Sequence, residues 1–146
     1  MNKLWEADSV DGGNTTPVTG LISIVDDDAS IRRSTLRILR SVGMRAEVFA
    51  SAEEFLASKE VEKTACLILD LRMPGMSGLE LQKHLAKVSN PVPIIFFSAH
   101  SSPKEERQLV RAGVFQFLQK PVSKDVLLTA IRNALKTQPN DERRTS

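Results

Sequence analysis

The chain has 146 residues, with 20 Lys and Arg against 18 Asp and Glu, and one cysteine. That length fits a single domain whose core needs no disulfide or structural metal, and a lone cysteine has no intrachain partner. A formal net charge of +2, evenly mixed, excludes a strongly basic surface, so neither direct nucleic-acid nor membrane binding is expected.

Residues 1–20 are rich in Asp, Gly, Asn and Thr, with Trp5 their only aromatic side chain, and read as a flexible N-terminal extension. They contain no apolar run behind a basic start, and no stretch approaches a membrane span, which places the protein in the cytoplasm. The folded region is expected over 21–136. It opens with the apolar run Leu21–Val25, followed by Asp26-Asp27-Asp28. A helix follows over Ala29–Val42, with Ile31, Thr35, Ile38, Leu39 and Val42 on one stripe, Asp28 as a candidate N-cap and Gly43 as a left-handed stop.

Further strands are predicted at Arg45–Phe49, Ala65–Leu69, Pro93–Phe97 and Val114–Leu118. Three helix starts carry capping boxes: Ser51 with Glu54, Ser77 with Glu80, and Ser102 with Glu105. The last helix runs from a Ser123 cap through Leu127, Ala130, Ile131, Ala134 and Leu135, and the polar residues 137–146 read as a tail or the start of a linker. Cys66, inside the run ACLIL, reads as a buried core thiol.

Five β-α units with nearly continuous apolar strands indicate an α/β fold, a parallel sheet covered by helices on both faces. In such sheets ligands bind beyond the carboxyl ends of the strands. Asp26-Asp27-Asp28, Asp70, Ser98-Ala99-His100 and Lys120-Pro121 all fall at that edge. A run of aspartates alone is usually a solvated turn, and Lys120 or Ser98 alone would read as a surface lysine or a loop hydroxyl. Together they form a phosphoryl-transfer set: a carboxylate nucleophile at Asp70, a mobile cation and a hydroxyl. Asp70 beside Asp26 and Asp27 creates a repulsion that a divalent cation relieves, and a few hard oxygen ligands suit Mg²⁺, with Mn²⁺ as a substitute and Asp27 and Asp70 as direct ligands.

Through the blocks IVDDD, LILDLRMPGMSGLEL, FFSAH and FLQKPV, the sequence resembles the receiver domain of bacterial two-component response regulators over about Leu21–Lys136. The block around Asp70 is the most specific, matching the pattern D-x-x-M-P-x-x-x-G with Met73, Pro74 and Gly78. The resemblance implies a CheY-like (flavodoxin-like) five-stranded parallel sheet of order 2-1-3-4-5. It implies that Asp70 accepts a phosphoryl group from a phosphohistidine of a sensor histidine kinase or phosphotransfer protein. It also implies that Asp26, Asp27, Asp70 and the backbone carbonyl of Arg72 hold Mg²⁺.

Lys120 then pairs with the phosphoryl group, Ser98 moves to it and Phe117 is the switch aromatic. Phe115 shares the residue parity of Phe117, so the resemblance alone selects between them. Lys120-Pro121 matches a step that is cis in the family, and Arg72 and His100 stand at the variable positions flanking the phosphate. Such a chain is a phosphoacceptor rather than an enzyme, assisting its own phosphorylation and dephosphorylation. It signals through its last two helices and fifth strand to a downstream protein or a phosphorylation-dependent homodimer. The wording FASAEEFL is most similar to FixJ-type receivers, commonly joined to DNA-binding domains. Residues 137–146 are too few for such a domain, leaving a stand-alone receiver or the receiver part of a longer regulator.

Three rivals fit less well. A phosphatase with an aspartyl nucleophile wants a second carboxylate two residues on, where Arg72 stands. A flavin-binding module on the same sheet wants a Ser/Thr/Gly phosphate loop after the first strand, where three aspartates stand. A degenerate receiver would lack the acceptor, an acidic partner or the lysine.

Overall fold

A computed structural model of the chain describes residues 20–88, 91–99, 101–111 and 115–136. Five strands and five helices alternate: β1 (Leu21–Val25), α1 (Ala29–Ser41), β2 (Arg45–Phe49), α2 (Ala52–Ala57), β3 (Thr64–Leu69), α3 (Gly78–Lys87), β4 (Ile94–Ser98), α4 (Pro103–Arg111), β5 (Gln116–Gln119) and α5 (Lys124–Lys136). The strands form one parallel sheet of order β2-β1-β3-β4-β5. The expected architecture and strand order are therefore those observed.

The continuous apolar runs have a direct cause: β1 and β4 are buried along their whole length. Ile22, Ile24, Cys66, Ile68, Ile95 and Phe97 pack against Leu39 of α1 and the inner face of α5, while Val25, Leu67, Leu69, Ile94 and Phe96 pack against α2, α3 and α4. Period-2 alternation sends neighbouring side chains to opposite layers, so both must be apolar. The edge strands β2 and β5 mix buried with exposed positions. Cys66 is fully buried, and burial pushes its thiol up to about 12, so it stays a neutral core group.

Where β3 begins, the structure departs from the predicted Ala65. Leu21 pairs with Thr64 but Ile22 with Cys66, a one-residue irregularity that lengthens the strand backwards. The Thr64 hydroxyl donates to the Glu60 carbonyl at 2.7 Å and accepts from Ser23 at 2.7 Å, which satisfies two buried hydroxyls. Similarly, β4 runs Ile94–Ser98, one residue later than predicted.

The caps hold with one change. Asp28 caps α1 through Ser30 and Ile31 N–H groups, and Gly43 has φ +79°. Ser77–Glu80 and Ser102–Glu105 form reciprocal boxes. At Ser51, the Glu54 N–H donates to the hydroxyl at 3.0 Å, but the Glu54 carboxylate accepts from Ala50 N–H instead of Ser51. Val42, assigned to the apolar stripe of α1, is instead the exposed C-cap, because the helix ends one residue earlier.

β5 begins at Gln116 rather than Val114, which lies outside the described residues. Phe115 precedes the strand and packs toward the α1/α5 layer, whereas Phe117 packs toward the α2/α3/α4 layer. The shared parity inferred from spacing fails because Phe115 is not part of the strand. The Lys120–Pro121 bond is cis. Residues 1–19 and 137–146, with His100, lie outside the described residues. No helix among the described residues is long and apolar enough to cross a membrane.

Candidate functional site

β1 lies between β2 and β3, so the chain leaves it to one side for β2 and returns on the other for β3. Such a reversal opens a crevice at the carboxyl ends of the two strands. The Asp70 N–H donates to the Val25 carbonyl at 2.9 Å, and the Asp26 N–H to the Phe49 carbonyl at 3.1 Å. The sheet ladder therefore extends one residue past β1 and β3 and fixes both aspartates side by side. The Lys120 N–H donates to the Ser98 carbonyl at 2.8 Å, which does the same at β4 and β5.

Carboxylate oxygens of Asp26, Asp27 and Asp70 lie within 4.8 Å of one another. Asp26 is 2% exposed and Asp70 8%, whereas Asp27 is exposed at the mouth. The Asp26 carboxylate accepts from Asp28 N–H at 2.9 Å and from Lys120 Nζ at 2.8 Å. Lys120 Nζ stands 3.9 Å from the Asp70 carboxylate and 5.3 Å from the centre of the Phe97 ring. The one ammonium thus sits between two buried carboxylates against an aromatic wall.

Burial and the neighbouring Asp26 push the Asp70 carboxyl up to about 6, opposed by Lys120 and by a hydrogen bond from the Arg72 backbone. A single lysine does not neutralise three carboxylates. Hard oxygen donors gathered this closely, with net negative charge and one side open to water, fit a small divalent cation such as Mg²⁺. Among the described residues, Asp26, Asp27 and Asp70 are the side chains grouped closely enough to hold it.

Ser98 is the last residue of β4 and 2% exposed. Phe117 is half-buried and registers with Phe96, while Ser98 registers with Gln119. The Arg72 guanidinium pairs with Glu105 of α4 at 2.6 Å. Five predicted residues, Asp26, Asp27, Asp70, Lys120 and Ser98, meet at one edge. The contribution of the Arg72 carbonyl rests on the resemblance.

Sequence reasoning missed Arg32 and matched Gly78 only as part of the motif around Asp70, without its structural reason. Arg32 donates to the Asp26 carbonyl at 2.7 Å, one turn into α1. A Cβ on Gly78 would fall 2.2 Å from the Asp70 carbonyl and 2.8 Å from Phe96, so only glycine lets α3 start this close to the end of β3.

The chain matches the family described as the response regulator receiver domain over residues 22–132. It is 41% identical over 122 residues to the response regulator protein TmoT of Ectopseudomonas mendocina, covering 84% of this chain and 56% of that one. It is 34% identical over 113 residues to the transcriptional regulatory protein FixJ of Rhizobium meliloti strain 1021, covering 77% and 55%. The structure of a CheY-like receiver domain protein from Methanospirillum hungatei JF-1 superposes with a TM-score of 0.76 at 30% identity, covering 84% of this chain and 98% of that one. With this fold and this acidic strand-end site, the chain belongs to the response regulator receiver domain family of two-component systems. It spans about half the length of the curated relatives it matches.

Proposed function

We propose that the chain is a working phosphoacceptor switch, with Asp70 as the residue that takes the phosphoryl group from a kinase or phosphotransfer phosphohistidine. The observation that carries this reading is the placement of the Asp70 carboxylate beside Asp26 and Asp27, with Lys120 Nζ 3.9 Å away at the open end of the sheet.

The Asp70 oxygen forms the new O–P bond as the donor N–P bond breaks, and the departing imidazole nitrogen takes a proton from solvent. Mg²⁺ held by Asp26, Asp27, Asp70 and the Arg72 carbonyl would supply charge neutralisation for the incoming phosphoryl oxygens. Lys120 is already between Asp26 and Asp70, so a short movement of its flexible side chain brings Nζ onto a phosphoryl oxygen.

The acyl phosphate adds charge and acceptor oxygens that Ser98 and Lys120 meet together, which biases a two-state equilibrium. Ser98 ends β4 and Phe117 lies on the neighbouring β5, so a shift of the first passes to the second through paired strands. The surface of α4, β5 and α5 then reads out the state, to a downstream protein or a second copy, in the cytoplasm.

The test is intact-mass spectrometry after incubation with acetyl phosphate, with and without Mg²⁺, on the wild type and Asp70→Asn. The expected result is an Mg²⁺-dependent gain of one phosphoryl group by the wild type alone. Labelling of folded Asp70→Asn to the wild-type extent would move the acceptor elsewhere, and an unlabelled, folded wild type would favour a binding module without phosphoryl chemistry.

A further inference from the structure

We propose that Glu53 is a positioning residue for the chemistry at Asp70, holding the Gly75–Met76 turn and, through it, the backbone of Arg72. This rests on the reading of Asp70 as a metal-assisted phosphoacceptor and adds a residue to that site.

Residues 71–77 must carry the chain from the end of β3 to the start of α3. The first half is anchored by side chains: Leu71 and Met73 are buried against the α2/α3/α4 layer. The far end is anchored by the Ser77–Glu80 box and by Gly78 N–H on the Leu71 carbonyl at 3.0 Å. Between these anchors Pro74 and Gly75 are exposed. There the Glu53 carboxylate, from the first turn of α2, accepts the Met76 N–H at 2.9 Å.

The turn and the carboxylate are fitted to each other. Gly75 has φ +76°, and a Cβ at that position would lie 2.7 Å from Glu53 Oε2. The carboxylate occupies the space a side chain would need, in a left-handed conformation that favours glycine. A charged acceptor on a backbone N–H makes a stronger bond than a neutral one, and the Met76 N–H is what chiefly holds the Glu53 carboxyl below its usual range.

Glu53 is not among the three carboxylates whose oxygens converge, so it acts through the loop. What the loop delivers is the Arg72 backbone, whose N–H reaches the Asp70 carboxylate. Only Met73, with its side chain buried, and Pro74 stand between Arg72 and the turn. A favourable charge at a helix start is the ordinary alternative role for Glu53. Its neighbour Glu54 in the same turn separates the two roles, since Glu54 accepts from Ala50 and leaves the loop alone.

The test compares wild type, Glu53→Ala, Glu53→Gln and Glu54→Ala in two measurements. One is hydrogen–deuterium exchange of peptides covering 71–77 without metal. The other is the Mg²⁺ concentration giving half-maximal thermal stabilisation and half-maximal acetyl phosphate labelling. Glu53→Ala is expected to speed exchange and to raise the half-saturating Mg²⁺ about tenfold, at the mild end of effects of groups behind metal ligands. Labelling at saturating Mg²⁺ should recover. Glu53→Gln, whose amide oxygen still accepts the Met76 N–H, should stay near wild type, as should Glu54→Ala. An unchanged Mg²⁺ requirement in Glu53→Ala overturns the proposal, as does Gln behaving like Ala or Glu54→Ala matching Glu53→Ala. A wild type that neither binds Mg²⁺ nor labels would instead remove the underlying reading of Asp70.

Discussion

Asp70 is destabilising for the folded chain at neutral pH when no metal compensates it. Burial, with Asp26 beside it, pushes its carboxyl up to about 6 in the fold, against about 3.9 for an aspartate in the unfolded chain. Below pH 4 both states carry the proton and the fold suffers no penalty. As pH rises from about 4 to 6 the unfolded chain releases the proton first, so stability falls, and the loss is complete above the folded value. With chelator present, Asp70→Asn is therefore expected to be more stable than wild type at pH 7.5 by about 2–3 kcal/mol, a gap that closes below pH 4. Urea unfolding at the two pH values measures it, and a pH-independent gap would mean that Asp70 is not raised. The residue types of this site were legible in the sequence because each follows an apolar run. Glu53 and Arg32 were not, because each meets the site through a backbone group that no side-chain pattern records.

Among the elements, α3 shows how local signals and tertiary packing divide the work. Its start is set locally by the Ser77–Glu80 box, with bonds of 2.8 and 3.1 Å. Its hold on the sheet comes from Leu81 and Leu85, both almost fully buried. Ser77→Ala removes the acceptor for Glu80 N–H and should lower stability by about 1 kcal/mol, read as a shifted urea midpoint with an unchanged slope. A loss of several kcal/mol would mean that Ser77 also holds the loop behind Asp70. The same division explains where element boundaries were read well and where they were not. Caps at Asp28, Ser77 and Ser102 are written in adjacent residues. The start of β3 at Thr64 depends on a hydroxyl pair with Ser23, 41 positions away, and so was misplaced by one residue. Phe115 was misassigned for a related reason, since its layer depends on where β5 begins.

At the scale of the whole molecule, the adjacent ends of β1 and β3 bring three like charges together at one edge of the sheet, with Lys120 from the end of β5 against two of them. Mg²⁺ at ten times its dissociation constant should raise the unfolding free energy of the wild type by about 1.4 kcal/mol, seen as a higher melting temperature at pH 7.5. Asp70→Asn, with one ligand carboxylate neutralised, should need more Mg²⁺ for the same shift. If Mg²⁺ leaves the wild-type melting temperature unchanged, the three carboxylates do not form a cation site.

The sequence by itself determined the layered α/β class, the order of elements, most helix starts and the residues that meet at the strand-end site. It could do so because periodicity, caps and strand-end residues are local properties of a chain. Only the tertiary structure decided that Lys120 bonds Asp26 more closely than Asp70, that Phe115 and Phe117 face different layers, and that Glu53 reaches across to Met76. Those are outcomes of distance between parts remote in sequence, set by how the sheet registers and how the helices pack upon it.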